Sequence, residues 1–184
     1  NGKLDDIDGL STPASVAYAF TNFAASSDTL FVYCVSHGRD VSGAGEFLLN
    51  ASARVTSAQV DAWLDDIQDT YSNEVTVVIE CCKAGSFVDE LEYHGAARRT
   101  VIASCRATQD SHFAAGGRVS FSDTFFNALL LGLSVEDGFS LARDAMVAYE
   151  DQEALLFGDA DVQIGASFVA GKDVPQIGEI CAGQ

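Results

Sequence analysis

The chain has 184 residues, 48% of them hydrophobic, and a net charge of −17 from 27 acidic and 10 basic side chains. That length suits one domain with a real core, and that charge disfavours nucleic acid and anionic membranes as partners. No apolar run approaches the roughly 18 residues of a membrane span. The acidic profile suits a secreted or cell-surface protein better than a cytoplasmic one, although the polar opening NGKLDDIDG is not a signal peptide. Five cysteines, Cys34, Cys81, Cys82, Cys105 and Cys181, make an odd number without a C-x-x-C pair. This argues against a complete disulfide framework and against a zinc knot.

Residues 1–11 read as an acidic linker. Asp5, Asp6 and Asp8 resemble a fragment of a calcium loop but lack the later bidentate glutamate, so Ca2+ is a weak expectation there, and no cofactor is required. A domain is expected over residues 12–157. STPASVAYAFTNFAA predicts a helix capped by Ser11 or Thr12, with Val16, Phe20 and Phe23 on one face. DTLFVYCV predicts a strand buried on both faces, followed by a polar, glycine-rich loop, SHGRDVSGAGEF. FLLN suggests a short strand or hairpin arm. TSAQVDAWLDDIQDTY predicts a helix capped by Thr56 or Ser57, with Val60, Trp63, Leu64 and Ile67 inward. EVTVVIEC is a second apolar strand, GSFVDELEYHG a short helix and RTVIASC a third strand. RVSFSDTFFNALLLGL predicts a helix capped by Ser122 or Asp123. SVEDGFSLARDAMVAYEDQ predicts the last helix, capped by Ser134, with Phe139, Ala142, Met146 and Tyr149 inward. Residues 158–184 read as a glycine-rich tail or linker. Alternating helices and buried strands predict a three-layer α/β domain with a mainly parallel sheet.

In such sheets ligands bind beyond the carboxyl ends of the strands. Two of these ends carry chemistry here: Ser36-His37-Gly38 and Cys81-Cys82. An imidazole beside a thiol is what sulfur nucleophilic catalysis requires, because only a few per cent of a free thiol is ionised at neutral pH. A glycine after the histidine lets the backbone approach, so the Gly38 N–H is a candidate oxyanion donor. Alternation along a strand sends Cys81 and Cys82 to opposite sides, and Cys82 lies nearer the tip. The competing reading is that cysteines pack as small hydrophobes, and Cys34 and Cys105 are read that way. His94 and His112 are read as surface residues. No G-x-G-x-x-G or P-loop follows a strand, which disfavours a nucleotide-binding domain.

His37 precedes Cys82 by 45 positions, close to the spacing of about 50 known from caspases. The order of parts resembles the caspase-like (caspase-hemoglobinase) fold of cysteine peptidases. The details resemble the legumain (asparaginyl endopeptidase) family and its bacterial members most. That family reads roughly FVYFTDHG where this chain has LFVYCVSHG, and IEACESGSM where it has IECCKAGSF. The match runs through Glu80, Cys82, Gly85 and Ser86, with Cys81 at an alanine position. The resemblance spans about residues 28–150. It implies a thiol endopeptidase with His37 as base, Cys82 as nucleophile, and Gly38 and Cys82 N–H groups as the oxyanion hole. It also implies that Ser104, Asp110 and Ser120 form the substrate pocket, with Asp110 in place of a glutamate. Peptides or proteins are then the substrates. Family members begin with a further strand and helix; the expectation here is a sheet lacking its first strand, with a missing N-terminal segment of the same precursor as a partner. The residue preference at the cut stays open between asparagine and a basic residue. The alternative function is an inactive caspase-fold scaffold acting as a protein-binding module.

Overall fold

The structure, a computed structural model, describes residues 9–23, 27–115, 118–147 and 152–158. Helix α1 spans Pro13–Phe23 and is followed by strand β1, Thr29–Val35. Strands β2 (Gly38–Val41), β3 (Ala44–Leu48) and β4 (Arg54–Thr56) come next, then helix α2 (Ser57–Tyr71) and strand β5 (Glu74–Glu80). Strand β6 (Arg99–Ala103), helices α3 (Phe121–Leu130) and α4 (Val135–Val147), and strand β7 (Leu155–Phe157) complete the order. The acidic trio Asp5, Asp6 and Asp8 lies outside the described residues, as do Tyr149 and residues 159–184.

The main sheet runs β1-β5-β6-β7, parallel except for β7. Side chains alternate across it, and each face has its own core. Val75, Val77, Ile79 and Val101 face α1 and α2, meeting Phe20, Val60, Leu64 and Ile67. Val78 and Ile102 face α3 and α4, meeting Phe121, Phe125, Phe139 and Met146. The result is the three-layer, mainly parallel α/β arrangement expected. Burying a full Leu, Ile or Phe side chain contributes about 1.5–3 kcal/mol, so these two layers dominate the stability of the fold.

Polar side chains set the helix starts. Thr56 and Gln59 exchange bonds in a capping box at α2. The Thr12 and Ser134 hydroxyls accept backbone N–H bonds at α1 and α4. At α3 the cap is Ser120, which accepts from Asp123 N at 3.1 Å, and not Ser122 or Asp123 as expected. The Ser122 N–H is committed instead to the Glu80 carboxylate, at 3.1 Å.

Three more expectations change. Strand β1 is not buried on both faces. Among the described residues it is the last strand on its side of the sheet, and Tyr33 and Val35 remain 36% and 45% exposed. The glycine-rich "loop" after it is the hairpin β2–β3, closed by Ser42 and Gly43 with φ of 58° and 93°. Two positive φ values make the turn that matches strand twist, and polar side chains disguised its strands. The predicted helix after Cys82 contracts to one 3-10 turn, Ala84–Phe87. The Arg99 guanidinium donates to the Leu91 carbonyl at 3.2 Å and so ties the end of this segment to β6.

Candidate active site

The parallel register decides what meets at the sheet's carboxyl end. Val35 of β1 sits opposite Glu80 of β5, and both chains leave the sheet there. Two residues further along each chain come His37 and Cys82. The Ser36 N–H still reaches the Glu80 carbonyl, at 3.4 Å. The His37 carbonyl accepts from Leu48 N at 2.9 Å, and the Ser36 hydroxyl donates to the Leu48 carbonyl at 2.6 Å. Strand β3 therefore pins the histidine's backbone while its side chain stays exposed.

Gly38 closes the corner. A Cβ there would lie 2.3 Å from the Cys81 sulfur and 2.5 Å from the Cys82 carbonyl oxygen. Only glycine permits that approach, and the approach locks the histidine segment onto the cysteine segment. After Cys82 the chain turns sharply. Lys83 takes a left-handed conformation, φ 63°, which disfavours a residue with a side chain. Gly85 lies against the backbone of the following loop, where a Cβ would meet Ala107 N at 2.4 Å.

The two cysteines separate as alternation requires. Cys81 is fully buried in the α1/α2 core, and burial pushes its thiol well above the ordinary value. Burial also raises Cys34, to about 12, and Cys105. Cys105 donates to the Cys81 carbonyl at 3.3 Å. Thiols so suppressed are poor nucleophiles. Cys82, half-buried, stands at the turn.

A second flank comes from the loop after β6. The Lys83 N–H donates to the Gln109 carbonyl at 2.8 Å, and its ammonium donates to the Thr108 carbonyl at 3.0 Å. The same ammonium pairs with Asp110 at 3.1 Å. Lys83 chiefly holds the Asp110 carboxyl below its usual range; the Cys82 thiol and His112 add to the effect. Asp110 thus comes beside Cys82. Ser104 and Ser120 do not open onto it. Ser104 is fully buried, with its hydroxyl 3.0 Å from that of Ser111. Ser120 is buried as the α3 cap. The buried Gln152 amide ties this flank together, donating to the Ser104 carbonyl at 2.9 Å and accepting from His112 N at 2.8 Å.

A family model described as the Peptidase C13 family matches residues 22–138. The chain belongs to the Peptidase C13 family. This is the legumain family of cysteine peptidases, as the resemblance implied, and its caspase-like fold agrees with the sheet described above. No curated protein matches the chain. Among the described residues no group of three His, Cys, Asp or Glu side chains is placed to hold a metal ion, and no helix is long and apolar enough to cross a membrane.

Glu80 is a site-building residue that motif reasoning left out of the site. It is fully buried, accepts from the Tyr33 hydroxyl at 2.6 Å and from Ser122 N at 3.1 Å, and so joins β1, β5 and the start of α3. Burial first, then the Glu80 charge, keeps the Tyr33 hydroxyl protonated. A buried carboxylate needs such donors. Its signal in the C13 sequence is an acid closing an otherwise apolar strand, VTVVIE. Lys83 and Gln152 carried no comparable signal, because their partners come from distant loops.

Proposed function

We propose that this C13-family chain is a cysteine endopeptidase working through a His37–Cys82 dyad. The observation that carries the reading is the corner where Gly38 packs against Cys81 and the Cys82 carbonyl, two residues beyond the Val35–Glu80 pair. In this reading the Cys82 sulfur attacks the carbonyl carbon of a peptide bond, and His37 takes the thiol proton. The tetrahedral oxyanion is met by the Gly38 and Cys82 N–H groups. His37 then passes its proton to the leaving amine, the C–N bond breaks and a thioester remains. Water, activated by the same imidazole, releases the acid product and restores the thiol. Asp110 lines the acyl side of the cleft in this scheme.

The test replaces each cysteine in turn. Cys82→Ala is expected to lower peptide turnover by at least about 10⁴-fold, as loss of a nucleophile does elsewhere. Cys81→Ala should retain most of it. Turnover surviving Cys82→Ala would overturn the dyad assignment, and no turnover together with no labelling of the wild-type protein by a thiol-directed peptidyl trap favours the binding scaffold instead.

A further inference from the structure

His37 has a second face. Beside it, away from the Asp110 loop, lies a small pocket of about 90 Å³ lined by His37, Gly38, Arg39, Glu46, Leu48 and Arg54. A water molecule's share of liquid volume is about 30 Å³, so the space suits a small planar group such as a carboxylate. Two guanidiniums share a single carboxylate there. Arg39 grips Glu46 Oε2 with two N–H groups, at 2.7 and 2.5 Å. Arg54 comes no closer to the same oxygen than 3.7 Å, beyond hydrogen-bond length. Among the described residues that ion pair is the contact Arg54's charged group makes. The pocket therefore carries one surplus positive charge in a chain whose net charge is −17, and its unspent donors belong to a half-exposed arginine.

The chemistry of the dyad says which part of a substrate passes here. The residue that protonates the leaving amine must stand on the amine side of the scissile bond. His37 is that residue, and the pocket continues from its wall along β2, β3 and β4. The Asp110 loop stands on the opposite flank. We propose that Arg54, supported by the Arg39–Glu46 pair, selects an acidic side chain in the first two residues on the amine side of the cleaved bond. Arg54 offers a planar fork that matches a carboxylate in two bonds. Leu48 gives the substrate's methylene an apolar floor.

This inference rests on the peptidase reading for its orientation, so the experiment separates the two. The amine-side product is mimicked by the peptide amides Asp-Ala-Ala and Asn-Ala-Ala, which need no catalysis to bind. Their binding is followed through the His37 side-chain NMR signals in wild-type protein and in Arg54→Glu, and through the Arg54 signals in the wild type. The Asp peptide is expected to bind about threefold to tenfold more tightly than the Asn peptide, the range of a partly exposed charge pair. Arg54→Glu should erase or invert that ratio. Equal affinities, or a ratio unmoved by Arg54→Glu, overturn the proposal. Turnover of a peptide library, with products sequenced, adds the second arm. Cleavage without acidic enrichment after the cut keeps the peptidase and removes the pocket. An Asp preference in binding, without any cleavage, removes the peptidase and keeps the anion pocket.

Discussion

Two flanks meet at Cys82, and they are held in different ways. The hairpin flank, with His37 and Gly38, is placed by backbone: a parallel register, strand pairing with β3, and a glycine pressed onto the cysteine segment. The loop flank, with Asp110, Ser104 and His112, adds side-chain ties, the Lys83 ammonium and the Gln152 amide, to the backbone contacts of Lys83 with Gln109 and of Gly85 with Ala107. The contrast implies that the hairpin flank tolerates changes of surface charge but not added volume. The loop flank should respond in addition to loss of its polar side-chain ties. Apart from Cys82 itself, the largest effects are therefore expected from bulk at the backbone corner.

On the proposed dyad, Gly38→Ala is expected to lower kcat/KM at least about 100-fold, because displacing the histidine by an ångström would disrupt both its positioning and the proposed oxyanion donors. Overpacking should also lower stability by about 1–3 kcal/mol, read from the urea midpoint. Combining it with Cys81→Ala removes the sulfur clash and leaves the contacts with the Cys82 carbonyl and the Cβ of residue 81, so partial recovery is expected. A double mutant no better than Gly38→Ala would assign the effect to the contacts that remain, with the Cys82 carbonyl and the Cβ of residue 81, and full activity in Gly38→Ala would break the contrast between flanks.

The loop flank predicts smaller and different effects. Gln152→Ala strands the Ser104 carbonyl and the His112 N–H, for a loss of about 1–3 kcal/mol. Amide exchange at His112 should quicken, and unchanged exchange would show that the amide does not hold the loop. The smallest effect is at Lys83. Its bond depresses the Asp110 carboxyl, so the associated stability is present above the unfolded value of about 3.9 and is lost as pH falls through the lower, folded value. Lys83→Met should move the Asp110 titration, followed by NMR, back up toward about 3.9. The pair is largely solvent-exposed, so the urea midpoint near neutral pH should scarcely move. An Asp110 titration unmoved by that change would deny Lys83 its part in the loop flank.

The hairpin flank was also the more legible in the sequence. The apolar runs ending in His37-Gly38 and in Cys82 mark strand ends, where a parallel sheet places its chemistry. The split between Cys81 and Cys82 follows from alternation alone. The strands within GRDVSGAGEF were hidden because a two-residue turn with two positive φ values leaves little compositional trace beyond Ser42-Gly43. The loop flank was less legible because its contacts join residues far apart in the chain: Lys83 with Asp110, Ser104 with Gln152, His112 with Gln152.

By itself the sequence determined the alternating layers, the two motif-bearing strand ends and membership of the C13 family, since periodicity and local motifs are properties of short segments. Only the tertiary structure decided that Val35 pairs with Glu80, that β1 lies at the edge of its sheet, that Ser104 and Ser120 are closed, and that Arg39, Glu46 and Arg54 gather beside His37. These depend on register and on which loops fold over one another. Both are set by the packing of the whole domain rather than by any one stretch of it.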